Sequence, residues 1–401
     1  NTAPRYNRLK LVPQALPDPH PHQSESIEGW NQHGNRGVVV LPTGSGKSQV
    51  GLMAISRIQR STLVVAPTID LMNQWYDLLC ATFDVEVGLL GGGYHELQDL
   101  TAATYDSAYM HMERYGNRFG MVIYDEVHHL PGEMYSHAAE MCLAPYRLGL
   151  TATPERADGR HLLLDRLVGP VVYEKGIREL SGDYLADYRV ERRQVQMVAE
   201  ERAAYETALS EYRAFLESKN LRLGSINGWQ QFVMLSSRTS EGRRAMLAYR
   251  QHRKIALGTS SKIRVLEEIL KAHPRDRILV FTNDNETVYQ ISRTFLVPAI
   301  THQTRTKERK AILEGFNRGD YLTLITSKVL NEGVNIPEAN VAVVLSGSAT
   351  IREHVQRLGR ILRQREGKEA TLYEVISKDT VEDRISQRRR QHEAYTEVEE
   401  A

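Results

Sequence analysis

The stretch Leu41-Pro42-Thr43-Gly44-Ser45-Gly46-Lys47-Ser48 limits this chain more than any other. It follows an apolar run, Val38-Val39-Val40, and precedes a helical pattern carrying Val50, Leu52, Met53 and Ile55. Strand, glycine-rich turn and helix form the setting of a phosphate-binding loop. Glycines let backbone N–H groups approach an anion, and the helix N-terminus adds partial positive charge. In that reading Thr43, Gly44, Ser45 and Gly46 wrap the phosphates. Lys47 reaches the β- and γ-phosphates, and the Ser48 hydroxyl takes a position on Mg²⁺. The full pattern has a glycine where this chain has Leu41. The competing reading, an ordinary glycine turn, does not ask for Lys-Ser after the last glycine.

At 401 residues the chain is long for one core, so two domains are expected. A hydrophobic fraction of 41% and a charged fraction of 25% belong to a globular protein. No apolar run approaches the roughly 20 residues of a membrane span, so no membrane partner is expected. Cys80 and Cys142 are the only cysteines, too few for a four-cysteine zinc site or a disulfide framework. They point to a reducing compartment: cytoplasm, nucleoid or nucleus. With a net charge of +1, a nucleic-acid binder must concentrate its basic residues locally or use amides and hydroxyls.

Residues 1–19 are proline-rich and read as an irregular entry. Pro21-His22-Gln23 then opens a helix with Ile27 and Trp30. A glutamine can donate to and accept from one base edge, which makes Gln23 a candidate adenine reader or a solvated helix-start residue. Downstream of the loop, Thr62–Thr68 reads as a buried strand. A helix over 71–79 follows, with Leu71, Trp75, Leu78 and Leu79 on one face. Val85–Leu90 reads as a strand running into a Gly91-Gly92-Gly93 hairpin turn, and Thr101–Tyr105 as a short strand. Met121–Tyr124 ends in Asp125-Glu126-Val127-His128, apolar residues closing on two carboxylates. Asp125 can hold Mg²⁺ and Glu126 can orient and deprotonate a water. Tyr146–Leu150 is a further strand, ending in Thr151-Ala152-Thr153. Strands alternating with helices imply a doubly wound parallel sheet, with right-handed crossovers carrying every strand end to one edge.

Residues 199–257 read as a helical insertion. Tyr205, Leu209, Tyr212 and Leu216 mark one helix; Trp229, Phe232, Val233 and Leu235 mark another. Its aromatic stripe reads as core or as a base-stacking platform. Its arginines, from Arg238 to Arg253, read as a phosphate track or a solvated face. A second α/β pattern follows, with a helix over 262–271 and strands over 277–282, 321–326 and 341–345. Beyond the last lies Gln356-Arg357-Leu358-Gly359-Arg360, where Arg357 and Arg360 are helical neighbours able to converge on a charged phosphoryl group. From Thr380 the tail reads as a charged helix.

In this order the motifs resemble superfamily-two helicases, and across residues 20–380 the XPB-type branch of DNA helicases and translocases. In that branch leucine is common where Leu41 stands. The resemblance implies two RecA-like doubly wound parallel-sheet domains with ATP between them: 1–185, then 186–198 with 258–401, interrupted by a thumb-like insertion at 199–257. It implies ATP and Mg²⁺ as cofactors and DNA as the partner. It matches Gln23 to the adenine reader, Lys47 and Ser48 to the phosphate and magnesium residues, and Asp125 and Glu126 to the magnesium and water-activating pair. Gly333 and Asn335 match a nucleotide-contacting loop. Arg357 and Arg360 match arginine fingers, with Gln356 beside them. His128, Thr151 and Thr153 match the segments that couple hydrolysis to movement, and Thr68 and Thr104 match sugar–phosphate contacts.

Three departures stand out. Arg156-Ala157-Asp158 replaces the branch's Arg-Glu-Asp, Asn335 stands where aspartate is frequent, and only residues 1–40 precede the loop, short of the branch's damage-recognition domain. The expected activity is ATP-driven DNA unwinding or translocation, acting in DNA repair. An RNA helicase and a nucleotide-gated clamp are the alternatives, and a nuclease or repair protein is an expected partner.

Overall fold

The structure is a computed structural model that describes residues 8–156, 158–180, 184, 187–223, 227–327, 339–346, 369–383 and 386. The chain divides into two units; among the described residues the first ends at Asp187 and the second holds the rest.

The first unit alternates helix and strand: α1 (Pro21–Gln32), β1 (Arg36–Val40), α2 (Lys47–Ile58), β2 (Thr62–Ala66), α3 (Ile69–Phe83), β3 (Val87–Gly91), β4 (Tyr94–His95), β5 (Leu100–Thr104), α4 (Tyr105–Tyr115), β6 (Met121–Asp125), α5 (Tyr135–Met141), β7 (Tyr146–Thr151), α6 (Leu163–Leu167), β8 (Val171–Glu174) and α7 (Ile177–Leu180). Its sheet has the order β4-β3-β5-β2-β6-β7-β1-β8. Neighbours run parallel except in the β3–β4 hairpin, where Gly91 pairs with Tyr94 as the triple glycine predicts. Every residue of β2, β5 and β6 is buried, which is why these strands read as continuous apolar runs. On one sheet face Val38, Val40, Leu63, Val65 and Tyr124 pack with Ala108, Met112, Ala138 and Leu164 from the covering helices. The Trp30 indole donates to the Arg147 carbonyl at 2.8 Å, fixing α1 against β7.

One expected face is corrected. On α3 Met72, Trp75, Leu79 and Phe83 are buried, whereas Leu78 is 37% exposed and Leu71 half-buried. The helix begins at Ile69, and the buried set follows i, i+3, i+4 steps from Met72.

The second unit contains β9 (Asp187–Val195), α8 (Ala199–Ser218), α9 (Gly228–Arg238), α10 (Ser240–Gly258), α11 (Ser260–Ala272), β10 (Ile278–Phe281), α12 (Asn285–Phe295), β11 (Ala299–Ile300), α13 (Thr306–Arg318), β12 (Thr323–Thr326), β13 (Val341–Val344) and β14 (Glu369–Ser377). Its sheet has the order β11-β12-β10-β13-β14-β9. The β11–β12, β12–β10, β10–β13 and β13–β14 pairs are parallel. The helices α8, α9 and α10 enclose a small core of their own, in which Ala208, Ala245 and Ala248 leave room for Tyr212, Phe215 and Phe232. The aromatic stripe is therefore core, with the Tyr212 and Phe232 rings 5.6 Å apart and near edge-on. Trp229 and Val233, expected beside Phe232, are 44% and 42% exposed. Of the expected C-terminal helix, Val381–Asp383 and Ser386 are described, and they are helical. Both units are α/β with mostly parallel sheets, as the alternation predicts.

Candidate active site

Five parallel strands deliver their ends to one edge of the first sheet. Val40 pairs with Thr151, Asp125 with Leu150, and Ala66 with Thr104. The loops leaving β1, β2, β5, β6 and β7 therefore start side by side. Only β7 separates β1 from β6, so Val40 and Asp125 stand on the order of 10 Å apart at the usual strand spacing.

The loop after β1 is shaped by its backbone. Leu41 is fully buried, and its N–H extends the ladder by donating to the Thr151 carbonyl at 2.9 Å. A glycine there would forfeit that packing. Gly44 and Gly46 have φ of 91° and 84°, left-handed values that disfavour other residues. Gly46 carries a second constraint: a Cβ would lie 2.2 Å from Gln23 Nε2. Helix α2 begins at Lys47, so its free N–H groups and positive pole face the loop. Lys47 Nζ donates to the Leu41 carbonyl at 3.2 Å, Ser45 Oγ donates to the Pro42 carbonyl at 2.8 Å, and Ser48 is the second residue of α2. Among the described residues the buried Thr43 hydroxyl has no hydrogen-bond partner. An amide-lined turn with a cation and an unsatisfied hydroxyl fits a polyphosphate.

Gln23 is buried against this loop. Its Nε2 donates to the Ser45 carbonyl at 3.1 Å, and its Oε1 accepts the His20 N–H at 2.9 Å. With these two bonds Gln23 braces the loop, and they use one of its two amide N–H groups. His22 Nε2 donates to the same Ser45 carbonyl at 2.9 Å, and burial pushes its pKa down. On the outer side of α1, Glu25 accepts from the Tyr173 hydroxyl at 2.6 Å and from Lys175 at 2.8 Å, tying the helix to β8.

Asp125 ends β6 inside the protein. Its Oδ2 accepts the Trp75 indole N–H at 2.9 Å and its Oδ1 accepts the Glu126 N–H at 3.0 Å. Burial pushes its pKa up; the indole and the Lys47 charge pull against that. The Tyr105 hydroxyl donates to the Asp125 carbonyl at 3.0 Å. A buried carboxylate with two donors keeps lone pairs, so the chemistry of Asp125 fits the water shell of a divalent cation. The backbone of Glu126 is left-handed, φ 47° and ψ 54°, at a cost of about 1–2 kcal/mol. It turns the chain sharply into His128, whose ring is fully buried. His128 Nδ1 donates to Thr151 Oγ1 at 3.0 Å and lies 3.4 Å from Glu126 Oε2. Thr151 Oγ1 in turn donates to the Thr153 carbonyl at 3.1 Å and accepts the Thr153 N–H at 3.2 Å. The expected coupling residues are thus one hydrogen-bonded set, reaching Glu126 through His128.

Thr68 and Thr104 both cap helices. Thr68 accepts the Leu71 N–H at the start of α3, and Thr104 accepts the Ser107 N–H at the start of α4. Three participants escape sequence reading, Trp75, Tyr105 and His22, and Arg156, noted there only within the Arg156-Ala157-Asp158 segment, is a fourth. Arg156 donates to the His128 carbonyl at 2.8 Å and grips Asp158 with two nitrogens, which holds the Asp158 carboxyl well below the usual range. The signal for Trp75 was chemical: a buried indole N–H needs an acceptor. Gly333, Asn335, Gln356, Arg357 and Arg360 lie outside the described residues. Among the described residues, no cluster of three or more His, Cys, Asp or Glu is placed to hold a metal. No helix among them is long and apolar enough to cross a membrane.

The model of the type III restriction enzyme res subunit matches residues 16–156, and that of the ERCC3/RAD25/XPB C-terminal helicase matches residues 239–394. The DNA 3'-5' translocase XPB2 of Sulfurisphaera tokodaii is 44% identical over 92% of this chain and 84% of its own length. The chain belongs to the XPB family. It is therefore a helicase-family ATPase. The DNA 3'-5' helicase XPB of Mycobacterium tuberculosis is 32% identical over 87% of this XPB-family chain, which spans 59% of that protein. The crystal structure of the Pyrococcus furiosus Hef helicase domain superposes with a TM-score of 0.62 over 92% of this chain and 98% of that one, at 18% identity, and shows the same fold.

Proposed function

We propose that this XPB-family chain is an ATP-dependent DNA translocase or helicase moving 3' to 5', as the names of its relatives in Sulfurisphaera and Mycobacterium state for those proteins. The observation that carries the chemistry is the edge where the Lys47 loop, Asp125, Glu126 and the His128–Thr151 bond come together. Lys47 and the α2 N-terminus hold the phosphates, Gln23 braces the loop and reads adenine with its remaining N–H, and Asp125 with Ser48 holds magnesium. Magnesium held by these residues would supply positive charge to the phosphoryl oxygens. Glu126 orients and deprotonates the attacking water. Arg357 and Arg360, with Gln356, act on the phosphoryl group as it leaves, and Gly333 and Asn335 contact the nucleotide. Thr68 and Thr104 meet the sugar–phosphate backbone. His128, Thr151 and Thr153 pass the state of Glu126 to the segment leaving β7. The work belongs to DNA repair, in a DNA-associated compartment and with a nuclease or repair protein as partner.

The test is ATP turnover with single-stranded, duplex and forked DNA and with RNA, run beside strand displacement on the fork. DNA, not RNA, should stimulate turnover. Lys47→Ala should abolish turnover and leave DNA affinity within a few-fold. Near-normal ATPase in that variant would remove the assignment; stimulation by RNA alone would favour an RNA helicase.

A further inference from the structure

Lys262 sits where two physical rules argue against a lysine. It is the third residue of α11, at the positive end of a helix dipole, and it is 2% exposed. Its ammonium lies 2.6 Å from Glu382 Oε2, and Glu382 is 1% exposed. The same ammonium donates to the Leu345 carbonyl at 2.5 Å. Glu382 Oε2 also accepts the Ser377 N–H at 2.9 Å, at the end of β14. One buried pair therefore ties the start of α11, the helical turn at Val381–Asp383 and the ends of the neighbouring strands β13 and β14.

Buried ion pairs are poor stabilisers: apolar residues of similar volume are often neutral or better, so position is the more economical account of this one. The position at stake is specific. Leu345 and Ser346 are the last described residues before 347–368, the stretch that carries Gln356, Arg357 and Arg360. Lys262 grips the Leu345 carbonyl, while Ser346 Oγ accepts the Asn283 N–H at 2.7 Å. Two bonds, one from α11 and one from the loop after β10, thus hold Leu345 and Ser346, the residues from which the arginine-bearing stretch departs.

We propose that Lys262, held by Glu382, is a positioning residue for ATP hydrolysis, setting the departure of the stretch that bears Arg357 and Arg360. The inference rests on the reading of those arginines as the cations of phosphoryl transfer. Lys262 acts on the reaction only through them, so its loss should lower kcat and leave the KM for ATP unmoved.

The test uses the full chain. A single Lys262→Met change strands a buried carboxylate and could unfold the unit, so the main variant is the double change Lys262→Met with Glu382→Leu. It removes both charges of the pair together, and with them the grip on the Leu345 carbonyl and the acceptor of the Ser377 N–H. Its thermal midpoint should stay within a few degrees, its KM within twofold, and its kcat should fall on the order of 10- to 100-fold, the scale of a 1 Å misplacement. Glu382→Gln, whose amide oxygen can still accept from Lys262, should recover kcat to within a few-fold. Placed on Arg360→Ala, the double change should add no further loss, because the two act through one route. A folded double variant with unchanged kcat would overturn the proposal, as would additive losses with Arg360→Ala. Full turnover in Arg360→Ala by itself would sink the arginine reading instead.

Discussion

At the scale of single residues, the phosphate loop is held by close contacts that leave no tolerance. Gly46 has φ of 84° and the Gln23 amide where a Cβ would stand. Gly46→Ala should destabilise the first unit by about 1–2 kcal/mol from backbone strain alone, and more from displacing Gln23. A thermal melt and the affinity of a fluorescent ATP analogue would check it; an unchanged melt with unchanged affinity would mean the Gln23 contact carries no weight. Trp75 offers a subtler handle. Gly51 on α2 has no Cβ, and one would meet the Trp75 ring at 2.7 Å, so the helices close until the indole reaches Asp125. Trp75→Phe keeps most of the packing and deletes the donor. A hydrogen bond to a charged group contributes about 1.5–3 kcal/mol, so the magnesium concentration for half-maximal ATPase should rise on the order of tenfold. No change would show that the indole only fills space.

At the scale of elements, the helices α8, α9 and α10 carry a pH dependence of their own. His252 is buried against Tyr212, with the rings stacked 5.3 Å apart, and Nδ1 donates to the Ala248 carbonyl at 3.0 Å. Burial lowers its pKa from 6.5; the Ala248 bond opposes this, and the Arg253 and Arg213 charges add to the lowering. The folded value lies below the unfolded one, so His252 costs nothing above the unfolded pKa. Stability falls as pH drops from there through the folded pKa. The midpoint of helix melting should drop by several degrees between pH 7.5 and 5.5, and His252→Gln should flatten that slope. Equal slopes in both proteins would assign the acid sensitivity to other groups.

These elements also show what the sequence can and cannot disclose. The strands buried on both faces, such as Leu63-Val64-Val65, announce themselves because no polar residue interrupts them. Strand β9, Asp-Tyr-Arg-Val-Glu-Arg-Arg-Gln-Val, does not; it sits at a sheet edge, and its charged residues leave no apolar run to mark a strand. Strand β14 was missed for a related reason, since Glu369, Thr371 and Glu374 break its apolar run. Within the site, the loop and the Asp125-Glu126 pair were legible because their chemistry is local in sequence. Trp75, Tyr105 and Arg156 reach it across 50, 20 and 28 residues, and only packing reveals such partners.

At the scale of the whole molecule, the groups proposed for hydrolysis are divided along the chain. A chain ending at residue 185 keeps Lys47, Asp125 and Glu126 but lacks Arg357 and Arg360. Arginine fingers contribute about 10³ to 10⁵ in rate. This shortened protein should bind nucleotide weakly and hydrolyse it on the order of 10³-fold or more below the DNA-stimulated full chain. Turnover at the full-chain rate would show that the first unit is catalytically complete.

The pairing of β9 with β14 bears on the birth of the protein rather than its working life. The first strand of the second unit finds its neighbour in the last strand described, and the Lys378 N–H donates to the Val195 carbonyl at 2.9 Å at that join. On the ribosome, β9 emerges long before its mate exists. Its backbone groups meanwhile form an open edge, the kind to which other strands adhere. The charges of Arg189, Glu191, Arg192 and Arg193 that hid β9 from sequence reading are of the kind that disfavours such adhesion.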